Sequence, residues 1–309
     1  MSETIASLRR MIGSAAELQA VVRTMKAMAA SSIGQYEQSV QALGDYARTV
    51  ELGLGVCFRT AGLKASSLPT QNDSSTKSDG RIIGAVVFGS DQGLVGQFNE
   101  VIVNYATKAL AETTGTSKVW AVGERAHSRL ADTSLPLMGL FNVPVSVQAI
   151  TPLIGEILMT ADKLSSHKGT VEFHLFYNRP TSGMGYEPVR QQLLPLDANW
   201  QHRLATTPWP THRRPEVMGQ LTTTLRTLIR EYLFVSLFRA CAESLASENA
   251  SRLSAMQRAD KNIDELLEEL NGKFHGLRQS GIDEELFDVV SGFEALHGQE
   301  FESLNGQEK

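Results

Sequence analysis

The chain has 309 residues, of which 42% are apolar and 20% charged, with a net charge of −5. That balance excludes a disordered chain and argues against a nucleic-acid binder, which would carry a basic excess or stripe. No stretch approaches the ~20 consecutive apolar residues that a bilayer-spanning helix needs.

The start, Met1-Ser2-Glu3-Thr4-Ile5, lacks the basic and apolar regions of a secretory signal, and Glu3 and Glu17 argue against a transit peptide. Residues 5–58 are helical in pattern. One column at a seven-residue step reads Leu8, Ala15, Val22, Ala29, Tyr36, Leu43, Val50, Cys57; a second reads Met11, Leu18, Met25, then Ile33, Val40, Ala47, Leu54. Apolar positions recurring every three or four residues predict one continuous stripe on a long helix. Gly13, Gly34 and Gly44 each cost such a helix about 1 kcal/mol relative to Ala, so a partner must stabilise it.

Residues 69–80 (PTQNDSSTKSDG) form a polar linker. The apolar run at 82–88 then predicts a buried parallel strand. A helix is expected over 99–110, a strand over 119–122 and a helix over 125–131. A third strand at 143–147, a helix over 151–164 and an alternating strand over 171–177 complete the pattern. The β-α-β-α order predicts a small, mostly parallel sheet with helices packed on it. Residues 200–215, rich in Pro and His, read as a return linker.

Pro215 and Glu216 suit a first helical turn, and no proline follows. One heptad column reads Leu221, Leu228, Val235, Ala242, Asn249, Met256, Ile263, Leu270, Leu277; the next reads Leu225, Tyr232, Arg239, Ala246, Leu253, Asp260, Leu267, Phe274. A period of seven sustained this long implies a supercoiled helix. About 60 residues of helix would extend ~90 Å, too long for a compact domain. The two stripes most simply pair as an antiparallel coiled coil. The fold class is therefore α/β: a long antiparallel coiled coil of terminal helices plus a small α/β domain. The expected segments are 1–68, 81–200, 215–296 and a polar tail, 297–309.

Chemistry-bearing residues are sparse. Cys57 and Cys241 stand alone without metal-ligand spacing, which predicts buried or half-buried free thiols in a reducing compartment. Gly89-Ser90-Asp91-Gln92-Gly93-Leu94-Val95-Gly96 sits between a strand and a helix, where phosphate-binding loops occur, but it lacks both the P-loop ending and the G-x-G-x-x-G spacing. The seven histidines are scattered, and Ser90-Asp91 has no base to pair with. We expect no catalytic, cofactor-binding or metal site. Arg9, Arg10, Arg23 and Lys26 share a stretch with a single acid, Glu17, so this helix presents either a solvated basic face or a contact for an acidic partner.

Three blocks together resemble the gamma subunit of F-type ATP synthases. Val22-Arg23-Thr24-Met25-Lys26-Ala27-Met28-Ala29-Ala30-Ser31 is similar to the family's T-K-A-M-K-M-V-A-A-S, and residues 90–99 to its S-D-R-G-L-C-G-G-F-N. On the last helix the matches are Glu248, Ala250, Arg252, Met256 and Asn262, then Arg278-Gln279, Ile282, Glu285-Leu286 and Val290-Ser291-Gly292. The resemblance implies a non-catalytic central rotor shaft that couples ion-driven rotation to ATP synthesis or hydrolysis. It implies alpha and beta subunits around the coiled coil, and the epsilon subunit and the c-ring at the α/β domain. It places the chain peripherally, on the cytoplasmic side of a bacterial inner membrane and held there through the complex. Arg23, Met25 and Lys26 would face an acidic loop of a catalytic subunit, and Arg278 and Gln279 would form a polar catch. For Met256 we expect helix packing. Gln92, Val95, Gln97, His275 and Asp283 depart from the pattern and point to a divergent bacterial branch. A coiled-coil scaffold would share the periodicity but has no reason to keep these motifs together.

Overall fold

The computed structural model describes residues 4–62, 81–165, 171–182, 185–213 and 215–305. The linker expected at 69–80 and residues 306–309 of the tail lie outside the described residues. The elements in chain order are α1 (Ile5–Thr60), β1 (Ile82–Phe88), α2 (Phe98–Ala111), β2 (Thr116–Val122), α3 (Glu124–Ala131) and β3 (Leu137–Phe141). There follow α4 (Val147–Ser165), β4 (Val171–Pro180), β5 (Tyr186–Leu194), α5 (Ala198–Thr206) and α6 (Leu221–Asn305). By contacts the chain divides into Met1–Lys26 with Met256–Lys309, and Ala27–Ala255. These borders cut the two long helices, whereas the segments read from composition divide between them.

The first unit is a pair of helices. Arg9 of α1 lies over the Phe274 ring of α6, Gln19 bonds to Asp264, and Lys26 bonds to Asp260. The α1 number rises as the α6 number falls, so the pairing is antiparallel, as the stripes predict. Leu8 and Ala15 of α1 are buried, as are Met256 and Leu270 of α6. The second expected α1 column is not buried in this unit: Met11 and Leu18 are exposed, Met25 is half-buried, and Gln19 is buried in the seam. Two helices alone bury a narrow strip on each, and the wider stripe of a core-facing helix needs a third layer.

The second unit supplies such layers. Its sheet has strand order β3-β2-β1-β4-β5, parallel except for β5, which runs antiparallel to β4. One face, with Ile83, Ala85, Val87 and Phe176, packs on α2 and α3 through Ile102, Ala106, Ala126 and Leu130. The opposite face, with Val86, Phe88, Phe173 and Leu175, packs on α4 and on the stretch of α6 containing Leu237, Ala240, Cys241 and Leu245. Tyr36 of α1 joins this second core. Alanine, serine and cysteine recur along α6 here, and small side chains let a helix be enclosed on every side; residues 240–248 are all buried. Cys57 and Cys241 are both buried free thiols, and burial pushes the Cys241 thiol well above its ordinary range.

Several expectations need correction. The third strand is Leu137–Phe141, not 143–147, because Pro144 lacks an amide donor and Ser146 turns the chain into α4, its Oγ accepting the Ala149 amide. The strand β5 went unread because Pro188 and charged residues interrupt its apolar pattern, a composition that an edge strand tolerates. Residues 198–206, of which 200–206 fall in the expected linker, form α5, capped by Asp197, whose carboxylate accepts the Asn199 and Trp200 amides. The last helix starts at Leu221 rather than at Pro215: Gly219 has φ +87°, and the Gln220 carbonyl accepts the first amides, from Thr223 and Thr224. It also continues through Asn305, past the expected start of the tail.

Two tests follow from the packing. Leu237 is fully buried beneath the sheet, so Leu237→Ala should cost about 3 kcal/mol, read as a shifted urea midpoint. His174, also buried, accepts from Arg190 Nε at 3.4 Å through Nδ1, and its Nε2 faces the Glu172 carboxylate at 3.2 Å. Burial is the largest cause of its lowered pKa, opposed by Glu172 and helped by Arg190 and Arg81. The unfolded chain therefore binds this proton first. Stability should fall as pH drops below the ordinary histidine value of about 6.5 toward the lower folded value, and His174→Gln should flatten that slope in denaturation at pH 5 to 7.

Candidate functional site

The glycine-rich loop is closed on its own chain. Ser90 is fully buried; its amide donates to Asn99 Oδ1 at 2.9 Å, and its Oγ accepts from Asn99 Nδ2 at 2.8 Å and donates to the Gln92 carbonyl. Asp91 Oδ1 accepts the Glu124 amide at 3.0 Å, and the Ser90 carbonyl accepts the Arg125 amide at 2.9 Å. Gly123 turns into α3 with φ +97°, and a Cβ there would lie 2.6 Å from the Ser90 carbonyl carbon. The Val95 carbonyl accepts from Ser251 Oγ of α6, and Asn178 Nδ2 donates to the Phe98 carbonyl at 3.0 Å. The amides of Ser90, Glu124 and Arg125 are all used within the chain. The loop is a clasp between the sheet, α2, α3 and α6.

A half-open cleft of about 300 Å³ lies among α1, β4, β5 and α6. It is lined by Arg179 and Arg239, which both donate to the buried Glu243, at 3.3 and 2.7 Å, and by Tyr177, whose hydroxyl accepts from Arg179. These groups satisfy one another and hold no nucleophile beside a base. Among the described residues no cluster of His, Cys, Asp and Glu could hold a metal ion, and no helix is long and apolar enough to cross a membrane.

The basic patch of α1 is organised by α6. Lys26 Nζ lies 2.7 Å from Asp260 Oδ2, Arg23 Nε lies 3.1 Å from Asp260 Oδ1, and Arg23 Nη2 lies 3.5 Å from Asp264 Oδ1. Lys26 foremost, then Arg23, holds the Asp260 carboxyl below its usual range. Counted along α1, the stretch is positive; counted in space, the two cations meet two carboxylates. Sequence reasoning passed over Asp260 and Asp264, although a charged residue in the apolar column at 260 was a visible signal. Met25 is half-buried and does not share a face with Arg23, because residues two apart on a helix point to opposite flanks. The structure thus brings Arg23 and Lys26 together and leaves Met25 apart. Arg278 and Gln279 are exposed neighbours on α6, with the exposed apolar residues Ile282, Leu286, Phe287, Val289 and Val290 following. On α1, Leu18 and Val21 are likewise exposed. Arg252 is held by Glu248 at 2.6 Å, and Met256 is buried.

A profile of the ATP synthase family matches residues 4–296. Two bacterial relatives, the ATP synthase gamma chains of Desulfitobacterium hafniense and Moorella thermoacetica, are each 26% identical, over 94% of this chain and 98% of their own length. The chain belongs to the gamma-subunit family of F-type ATP synthases. Its role is that of the family's central rotor shaft, as the three sequence blocks imply. Solved structures agree at the level of the fold. The rotor of the Euglena gracilis mitochondrial ATP synthase is 17% identical, with a TM-score of 0.57 over 90% of this chain and 98% of that one. A second Euglena structure, of the OSCP, F1 and c-ring assembly, is 15% identical, with a TM-score of 0.59 over 96% and 95%. The central stalk and c-ring of Tetrahymena thermophila gives 21% identity and a TM-score of 0.53 over 77% and 99%.

For a gamma-family chain the clasp is structural. Asn99→Ala removes both side-chain bonds to the buried Ser90 and should cost about 2 to 4 kcal/mol in thermal or urea denaturation. Equilibrium dialysis of the unaltered chain with ATP should show no saturable binding.

Proposed function

We propose that this shaft is non-catalytic and works by contact. Alpha and beta subunits surround the paired ends of α1 and α6, while the epsilon subunit and the c-ring bind the α/β domain. The single observation that carries this reading is the exposed apolar surface of the helix pair and of the α6 end beyond it. Phe287 and Val289 are 72% and 70% exposed, and Leu18 of α1 is 60% exposed. Apolar residues clustered on a helix that has no further layer to cover them expect a surrounding sleeve.

Arg23 and Lys26 are the cations that meet an acidic loop of a catalytic subunit, with Met25 meeting it from another flank of the same helix. Arg278 and Gln279 form a polar catch beside the apolar end. Because the helix pair presents different side chains in different directions, the three catalytic sites around it meet different surfaces. Shaft angle and nucleotide affinity are then linked as a coupling free energy, each tenfold difference in affinity requiring about 1.4 kcal/mol of differential contact. A two-stranded rod resists twisting better than a single helix and so transmits torque. With no membrane-crossing helix among the described residues, the chain sits peripherally, on the cytoplasmic side of a bacterial inner membrane, held there by its partners in a proton- or sodium-driven complex.

Reconstitution with the alpha and beta subunits of the same organism tests this. One copy per ring should raise multi-site ATP turnover. Lys26→Ala or Arg278→Ala should then lower coupled turnover by roughly fivefold, the equivalent of about 1 kcal/mol at a partly exposed charged contact. A ring that turns over equally well without this chain would refute the shaft contacts.

A further inference from the structure

We propose that Asp260, supported by Asp264, is a positioning residue that sets how strongly Arg23 and Lys26 engage their acidic partner, by holding both cations until that partner takes them over. The inference rests on the reading above, in which this patch meets an acidic loop of a catalytic subunit.

The geometry is that of an exchangeable pair. Each oxygen of Asp260 serves a different cation, Oδ2 for Lys26 at 2.7 Å and Oδ1 for Arg23 at 3.1 Å. The carboxylate is the inner member: its side chain is 13% exposed, against 37% for Lys26 and 56% for Arg23. An approaching carboxylate therefore reaches the cations first and Asp260 last. Arg23 turns its Nε and Nη2 toward α6, at Asp260 and Asp264, so Nη1 is the corner of the guanidinium not spent on this pairing. Lys26 makes one bond to Asp260, and an ammonium group has three protons to donate.

Charge explains why the arrangement matters. Two cations with two carboxylates make a locally neutral group, which exerts little long-range pull on an acidic surface. Attraction arises at short range, as the partner's carboxylates replace Asp260. Partly exposed ion pairs are individually weak, so the exchange is reversible at each step of rotation. Gln19 of α1 donates to Asp264, which keeps that carboxylate on α6 and prevents it from following Arg23 outward. A lock that merely fixed the register of the two helices would use the same bonds, so the test must separate the two roles.

The experiment uses the reconstituted complex and measures dissociation of this chain from the ring, together with ATP turnover, across ionic strength. The chains compared are the unaltered protein, Asp260→Asn, Asp260→Glu, Arg23→Gln with Lys26→Gln, and the triple variant carrying Asp260→Asn with both glutamines. Asp260→Asn keeps the shape and removes the competing charge. It should slow dissociation roughly three- to tenfold at low salt and steepen the salt dependence, as expected for a freed cationic contact. Asp260→Glu should stay near the unaltered chain, and the triple variant should match the double one. Faster dissociation of Asp260→Asn, or an equal effect with and without the two cations, would leave the contact standing and reduce Asp260 to a register lock. A double glutamine variant that binds and turns over like the unaltered chain would overturn the contact itself, and this inference with it.

Discussion

A 56-residue helix carrying Gly13, Gly34 and Gly44 with nothing packed over them has little reason to persist alone in water. It persists because α6, from the far end of the sequence, runs antiparallel along it. In the first unit, among the described residues, that contact consists of an apolar seam, one buried glutamine, Arg9 over the Phe274 ring and an ion group. In the second unit the same two helices meet a sheet, α4 and α5, and burial becomes extensive.

The consequence for function lies in what the pairing leaves uncovered. Where two helices pair without a third layer, much of each surface stays open, and here that surface carries apolar side chains as well as charge. A monomeric enzyme would have buried such residues or replaced them with polar ones. Membership of the gamma-subunit family gives this economy its meaning, since a shaft has to be complementary to what surrounds it. The α/β unit, by contrast, covers both faces of its sheet with helices. Its loop at residues 89–96, at the strand end where related architectures hold phosphates, donates the Ser90 amide to Asn99 and accepts the Glu124 and Arg125 amides of α3.

Much of the fold was legible. Unbroken heptads with no proline marked α1 and α6, and the apolar run of β1 marked the sheet. What was missed follows a pattern. The edge strand β5 carries Pro188 and charges that a central strand could not tolerate, so its pattern is weak. The helix α5 was hidden by composition although Asp197 announced its cap. The site was less legible still. Arg23 and Lys26 were recognisable as cations in a stretch whose single acid is Glu17, but Asp260 and Asp264 lie over two hundred residues away, and charge balance is a property of space, not of neighbouring letters.

The sequence by itself determined the helix–domain–helix plan, the mostly parallel sheet, the family and the cations of α1, because periodicity and short motifs are local and survive divergence. Tertiary structure alone decided which apolar column is buried, that the glycine loop is a clasp, and that Arg23 and Lys26 are paired while Met25 turns to another flank. Those outcomes depend on register between distant segments. A helix knows its own stripe, but which part of that stripe meets a partner, and which charge stands opposite, is fixed only when the partner is in place.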